Sequence, residues 1–245
     1  MSKTFHILNG DALLDFFPES ILSGEIIVAR ECLVDGPVTG KTLEEFWETR
    51  ADFITAEYEE EKDSYFFDVV SEFNRISLIP PGSEVNLWFC MSLLTNVDDQ
   101  LKINLVQPPL KDGEPDWGGF GGLDRNELAG AYQGRQRLSA TEIKLLADLW
   151  NAYKMNDRVK LEELSVTESE HFPFLRKVVQ AQLDRFSEDN LSGRPEKVLK
   201  EIMLQKDMHD FKSIFKEFSI QEGIYGFGDW QVERLLNKLP EFKEE

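Results

Sequence analysis

Two turns in the first half of the chain carry side chains suited to binding a small ligand. The first is Asn9-Gly10-Asp11, which follows the apolar run Phe5-His6-Ile7-Leu8. Gly10 permits a positive φ or the close approach of a ligand, and a helix start after it would offer free backbone donors to an anion. Asn9 offers an amide, and Asp11 a carboxylate that accepts from a hydroxyl or acts as a base. The structural alternative is that Asn9 or Asp11 caps the helix.

The second turn runs from Arg30-Glu31 to Asp35-Gly36-Pro37, after the β-branched run Glu25-Ile26-Ile27-Val28-Ala29. An arginine at the end of a buried strand is suited to clamping a carboxylate or a phosphate. Glu31 is equally suited to pairing with Arg30, which would make the two residues a scaffold for the loop. Both alternatives stay open at this point.

His6 lies inside an apolar strand, where a histidine is more often a hydrogen-bonded structural residue than a base. Neighbouring strands of a parallel sheet would bring His6, Asn9, Asp11, Arg30 and Glu31 toward one crevice at their carboxyl ends. The spacing of the two turns therefore predicts a single ligand cleft.

Arg135 and Arg137 form a small basic cluster further along the chain. They would either close the cleft over an anionic ligand or neutralise the acidic first domain at a domain interface, which the charge contrast favours. The candidate ligand-binding set is thus His6, Asn9, Gly10, Asp11, Arg30, Glu31, Arg135 and Arg137. The sequence assigns no catalytic residue and no cofactor.

Composition limits the partners. The chain of 245 residues is 41% hydrophobic and carries a formal net charge of −19. This is enough apolar material for a packed core, and the acidic surface argues against nucleic acid and anionic membrane as partners. Cys32 and Cys90 are far apart in the sequence, and the chain contains only three histidines, so no zinc site is expected. The start lacks a secretory signal pattern, and we expect a cytoplasmic protein with reduced thiols.

The order of apolar runs predicts the fold class. Residues 1–108 read as β-α-β-α-α-β-α-β, which is typical of an α/β fold with a mostly parallel sheet and flanking helices. Residues 109–134, rich in Gly and Pro, are expected to be a connector. Residues 135–245 are expected to form an all-α unit, with a capping box at Ser139–Glu142.

Several short motifs resemble one known family. They are Phe5-His6-Ile7-Leu8-Asn9-Gly10-Asp11, Arg30-Glu31, Gly36-Pro37, Trp117-Gly118-Gly119-Phe120-Gly121-Gly122, Trp150-Asn151-Ala152-Tyr153, Phe172-Pro173-Phe174-Leu175, Ser192-Gly193-Arg194-Pro195 and Gly226-Phe227-Gly228-Asp229-Trp230. In this order they resemble the bacterial family named domain of unknown function 1835, over nearly the whole chain. The resemblance implies a cytoplasmic bacterial protein and carries over no activity. The chain departs from the family pattern where Leu87-Trp88-Phe89 runs directly into Cys90-Met91, without an acidic stretch.

Two functional hypotheses follow. The leading one is a small phosphate- or carboxylate-bearing ligand in a cleft of the α/β domain, with no reaction assigned. The alternative is an acidic interaction or regulatory module that binds a basic protein partner and has no small-molecule chemistry. Convergence of Asn9, Asp11 and Arg30 favours the first, and their use in caps and ion pairs favours the second.

Overall fold

A computed structural model describes residues 3–18, 22–88, 100–111, 117–186, 192–206, 208–240 and 242. The chain divides into two compact units, Met1–Pro173 and Phe174–Glu245. The first holds the sheet and the second is helical in its described part. The predicted class, a mostly parallel α/β sheet followed by a helical C-terminal region, is confirmed.

The sheet consists of β1 (Thr4–Asn9), β2 (Glu25–Ala29), β3 (Glu84–Leu87), β4 (Lys102–Leu105) and β5 (Gln136–Arg137). Its strand order is β2-β1-β3-β4-β5, with the first four strands parallel and β5 antiparallel to β4. The chain passes from β1 to β2 and then returns across β1 to β3. Strand order therefore reverses between β1 and β3, which is where open α/β sheets bind ligands, outside the carboxyl ends of the strands.

The helices of the first unit are α1 (Asp11–Leu14), α2 (Leu43–Tyr58), α3 (Lys62–Tyr65), α4 (Ser71–Ser77), α5 (Arg125–Gln133), α6 (Ala140–Lys154) and α7 (Arg158–Ser165). A π-helical turn, Phe66–Val70, joins α3 to α4. The predicted capping box opens α6, because the Ser139 side chain accepts from the backbone of Glu142 and the Glu142 carboxylate accepts in return.

Apolar side chains hold the first unit together in separate clusters. One surrounds Leu8 and Trp88 and includes Leu128 of α5. Another surrounds Phe46 and Trp47 of α2 and includes Trp150 of α6. Each fully buried side chain of this size contributes about 1.5–3 kcal/mol relative to exposure, so α5 and α6 are fixed to the first unit by its core.

The predicted domain limits are wrong in the middle of the chain. Residues 109–134 are not simply a connector, since α5 begins at Arg125 behind a capping box of Asp124. Residues from 135 do not begin a separate helical domain, since β5 extends the sheet and the first compact unit runs to Pro173. Composition gave no signal of the two-residue strand or of the packing of α6.

The second unit contains α8 (Leu175–Asp184), α9 (Arg194–Lys206), α10 (Phe211–Glu222), the 3₁₀ turn Gly223–Tyr225 and α11 (Asp229–Leu236). It has a hydrophobic core of its own, centred on Leu199, Ile202, Ile214, Phe218 and Val232. Among the described helices of either unit, none combines the length and the apolar character needed to cross a bilayer.

Candidate ligand site at the carboxyl edge of the sheet

Arg30 and Asp11 lie together at the carboxyl ends of β1 and β2. The two strands are in parallel register with Asn9 opposite Ala29, so the residues that follow each strand emerge at the same edge. The Gly10 N–H donates to the Ala29 carbonyl over 3.0 Å, and Gly10 has a φ of 77°. The Nε of Arg30 donates to Oδ1 and Oδ2 of Asp11 at 2.9 and 2.8 Å. The structure thus brings the first turn and Arg30 together.

The Arg30 guanidinium is held on two sides. Its Nη1 donates to the Asp68 carbonyl over 3.0 Å, which ties the edge to the π-helical turn. Its Nη2 makes no hydrogen bond with any described residue. The side chains of Arg30 and Asp11 are 28% and 56% exposed, and the hydrogen bond to Asp11 raises the pKa of Arg30. Arg30 therefore presents a fixed positive charge with N–H donors directed at solvent.

Asn9 and Asp11 do not cap α1 through their side chains. Gly10 is the N-cap residue, and no side chain accepts a hydrogen bond there. Asp11 accepts from Arg30 instead, and the exposed Asn9 side chain makes no hydrogen bond with a described residue. Because α1 is a single turn of 4 residues, its backbone dipole is weak, and Arg30 is the main attraction for an anion at this edge.

Both carboxylate oxygens of Glu31 are engaged inside the fold and are not available to a ligand at this edge. Its partner is Arg50 of α2, whose Nη2 donates to Oε1 over 2.5 Å. The two side chains are 1% and 0% exposed, and the Tyr65 hydroxyl donates to the other Glu31 oxygen. Arg50 also donates to backbone carbonyls of residues 32–37 at 2.6–3.2 Å. This buried network fixes the loop that follows β2.

The candidate residues predicted from the sequence did not include Arg50. It stands in a helical apolar stripe between Trp47 and Phe53, and a charged residue at a core-facing position requires a buried partner. The charged residue at this core-facing position is the sequence feature that indicates a buried ion pair. The same loop contains Cys32, where burial raises the thiol pKa to about 11, so the thiol is protonated at neutral pH and is a poor nucleophile.

His6 has the structural role that is the more common one for a histidine inside an apolar strand. The ring is fully buried. The Trp88 indole N–H donates to Nδ1 over 3.2 Å, and since indole is only a donor, Nδ1 accepts and Nε2 carries the proton toward the Ser23 carbonyl at 3.4 Å. Burial lowers the pKa of His6, which keeps the ring neutral. With both nitrogens occupied, it has no atom left for a ligand.

The side chains of Arg135 and Arg137 form hydrogen bonds near the amino ends of β3 and β4, and none of these bonds brings them to Asp11 or Arg30. Arg135 Nε donates to Glu84 at the first residue of β3 over 3.3 Å, and its guanidinium lies 4.1 Å from the centre of the Tyr132 ring. Arg137 donates to the Leu101 carbonyl just before β4.

The described residues contain no group of three or more His, Cys, Asp and Glu placed to hold a metal ion. The segment beginning Phe89-Cys90-Met91, where the sequence departs from the family it resembles, lies outside the described residues. No protein-family model, curated protein or solved structure matches the chain. The geometry of the site must therefore carry any functional conclusion.

Proposed function

We propose that the protein binds a small phosphate- or carboxylate-bearing ligand at the carboxyl edge of its sheet. Arg30 binds the anionic group, the Gly10 turn lets the ligand approach the backbone, and Asn9 and Asp11 hold hydroxyl or amide groups. The observation that carries this assignment is that Asn9, Asp11 and Arg30 come together at one edge of the sheet, beside the position where strand order reverses.

The energetics allow a ligand to compete with Asp11 for Arg30. A partly exposed ion pair such as Arg30–Asp11 contributes about 0–1 kcal/mol, so a ligand that replaces Asp11 on Arg30 gives up little. A phosphate or carboxylate has two or more oxygens for the Nη groups of Arg30. Asp11 can then accept from a ligand hydroxyl. We assign binding to this edge and no bond-making step.

We further propose that the chain belongs to the bacterial family named domain of unknown function 1835 and acts in the cytoplasm. Support comes from the ordered motifs between Phe5 and Trp230. This assignment is independent of the ligand, because the family resemblance carries over no site residues.

A second candidate function is the binding of a basic protein partner. The supporting observation is the charge of the first 122 residues, which hold 23 acidic and 8 basic side chains. Such an association weakens steeply as ionic strength rises, and it requires neither Arg30 nor a small ligand.

Thermal unfolding against ribose 5-phosphate, AMP, citrate and inorganic phosphate tests the ligand proposal. Binding to the native state alone adds about 2.7 kcal/mol at a hundredfold excess over Kd. We expect at least one compound to raise Tm in the wild type but not in Arg30→Gln. The matched control is Lys3→Gln, which removes the exposed Lys3–Glu25 pair at the other end of β1 and β2 and should keep the shift.

Two results would contradict the ligand proposal. Equal Tm shifts in wild type and Arg30→Gln contradict the role of Arg30. An unchanged Tm across all four compounds, with salt-sensitive binding to polylysine, favours the interaction module instead.

A further inference from the structure

A concave surface lies at the carboxyl end of β4. It is a groove of about 460 Å³ between the end of β4, the two prolines that follow it, the last turns of α5, and β5. This volume lies within the range of about 300–1,000 Å³ typical of small-molecule sites. Strands β1 and β3 separate it from β2, so at about 4.8 Å per strand the groove lies roughly 14 Å from the strand that leads to Arg30.

Small residues on α5 leave the space open. Gly130, Ala131 and Gly134 line one wall, and a Cβ added at Gly130 would meet no atom within 4 Å. Pro108 and Pro109 also line the groove, and their rings restrict the backbone. The groove is therefore formed by helix, strand and proline residues that have little freedom to collapse into it.

The groove offers an unused acceptor and a negative charge. Gln136 Oε1 is buried and accepts no hydrogen bond from a described residue, which leaves its desolvation uncompensated. Gln136 lines the groove, and its terminal amide torsion is broad, so rotation of the amide can present this oxygen to a ligand. Glu127 is the one charged lining residue, and the last turn of α5 adds the partial negative charge of a helix carboxyl terminus.

We propose that this groove is a binding site for a small nitrogen base, an amidine or amine with a flat apolar body. Its N–H groups donate to Gln136 Oε1 and face Glu127, and its apolar body packs against Leu105 and Pro109. The charge preference is opposite to that of Arg30, so this site stands whether or not the anion site does.

Titration with benzamidine and with benzoate tests the charge and donor preference, because the two probes share their shape. We expect protein NMR to show saturable shifts around α5 and β5 with benzamidine and none with benzoate. Binding at least tenfold weaker is expected in Gln136→Leu, which removes the acceptor. Equal binding of benzoate, or unchanged benzamidine binding in Gln136→Leu, would overturn the assignment.

A filled groove provides the second arm. Gly130→Leu places a side chain in the open space, and leucine is favoured over glycine in a helix, so the variant should fold with an unchanged circular dichroism spectrum. It should weaken benzamidine binding at least tenfold. Gln133→Leu is the matched control, because it puts the same side chain on an exposed position of α5 that does not line the groove. Equal benzamidine affinity in the two variants would place the probe elsewhere and overturn the site.

Discussion

Glu72 on α4 accepts a hydrogen bond from the backbone N–H of Val28 on β2, over 3.1 Å. Arg75, one turn further on, donates to the Ile26 carbonyl at 3.0 Å, and the two side chains form an ion pair of 2.8 Å. Strand β2 is at the edge of the sheet, where free backbone groups invite pairing with another chain. The Glu72–Arg75 pair covers those groups.

We predict that Glu72→Ala promotes self-association. It leaves the Val28 N–H without its acceptor, and we expect the free energy of unfolding to fall by about 1–3 kcal/mol. Light scattering at rising protein concentration should show larger species than the wild type. Glu72→Gln keeps an acceptor, so its light scattering should match that of the wild type. If Glu72→Ala matches Glu72→Gln in both measurements, α4 does not protect the edge.

The buried Glu31–Arg50 pair should dominate the stability of the loop after β2. Glu31→Gln leaves the Arg50 charge buried without a counter-charge, and breaking such a pair costs about 3–5 kcal/mol. Urea denaturation of the full chain measures the change in the free energy of unfolding. Asp148→Asn, which disrupts the solvent-exposed Lys144–Asp148 pair, should cost less than about 1 kcal/mol. Similar costs for the two variants would contradict the structural role of Glu31.

His6 should make stability depend on pH below about 6.5. Burial lowers the pKa of His6 in the folded chain from its ordinary 6.5, so in that window the unfolded chain binds the proton more readily. The free energy of unfolding therefore falls as pH drops from 6.5 toward the folded pKa, by at most about 1.4 kcal/mol per pH unit from this group. Above 6.5 the contribution is constant.

Denaturation at pH 5 to 8 measures this slope. His6→Gln retains an acceptor for the Trp88 indole and removes the titrating ring, so its curve should be flatter than that of the wild type just below pH 6.5. The same slope in both proteins would show that His6 binds its proton equally in the folded and unfolded states.

The sequence predicted the α/β sheet and the meeting of Asp11 with Arg30, because both follow from local runs and from the adjacency of successive parallel strands. It did not predict that Glu31 pairs with Arg50, since the apolar stripe of α2 shows only that Arg50 needs a buried partner and not which residue supplies it. The placement of Arg135 and Arg137 depended on β5, whose 2 residues are too short for any period-2 signal. The sequence therefore indicated the adjacent strands and the side chains at their ends, and it did not indicate the short strand β5 or the partner of Glu31.

The central claim is that Arg30 binds the ligand anion, and its own Nε–H resonance tests this most directly. A ¹⁵N NMR spectrum of the arginine side chains, with the Arg30 signal identified by its loss in Arg30→Gln, is recorded while ribose 5-phosphate, AMP, citrate or inorganic phosphate is added. We predict a saturable shift of the Arg30 signal with at least one of them, while Arg75, paired with Glu72 on α4, does not move. An Arg30 signal that stays fixed throughout, or that shifts only in parallel with Arg75, would contradict the claim.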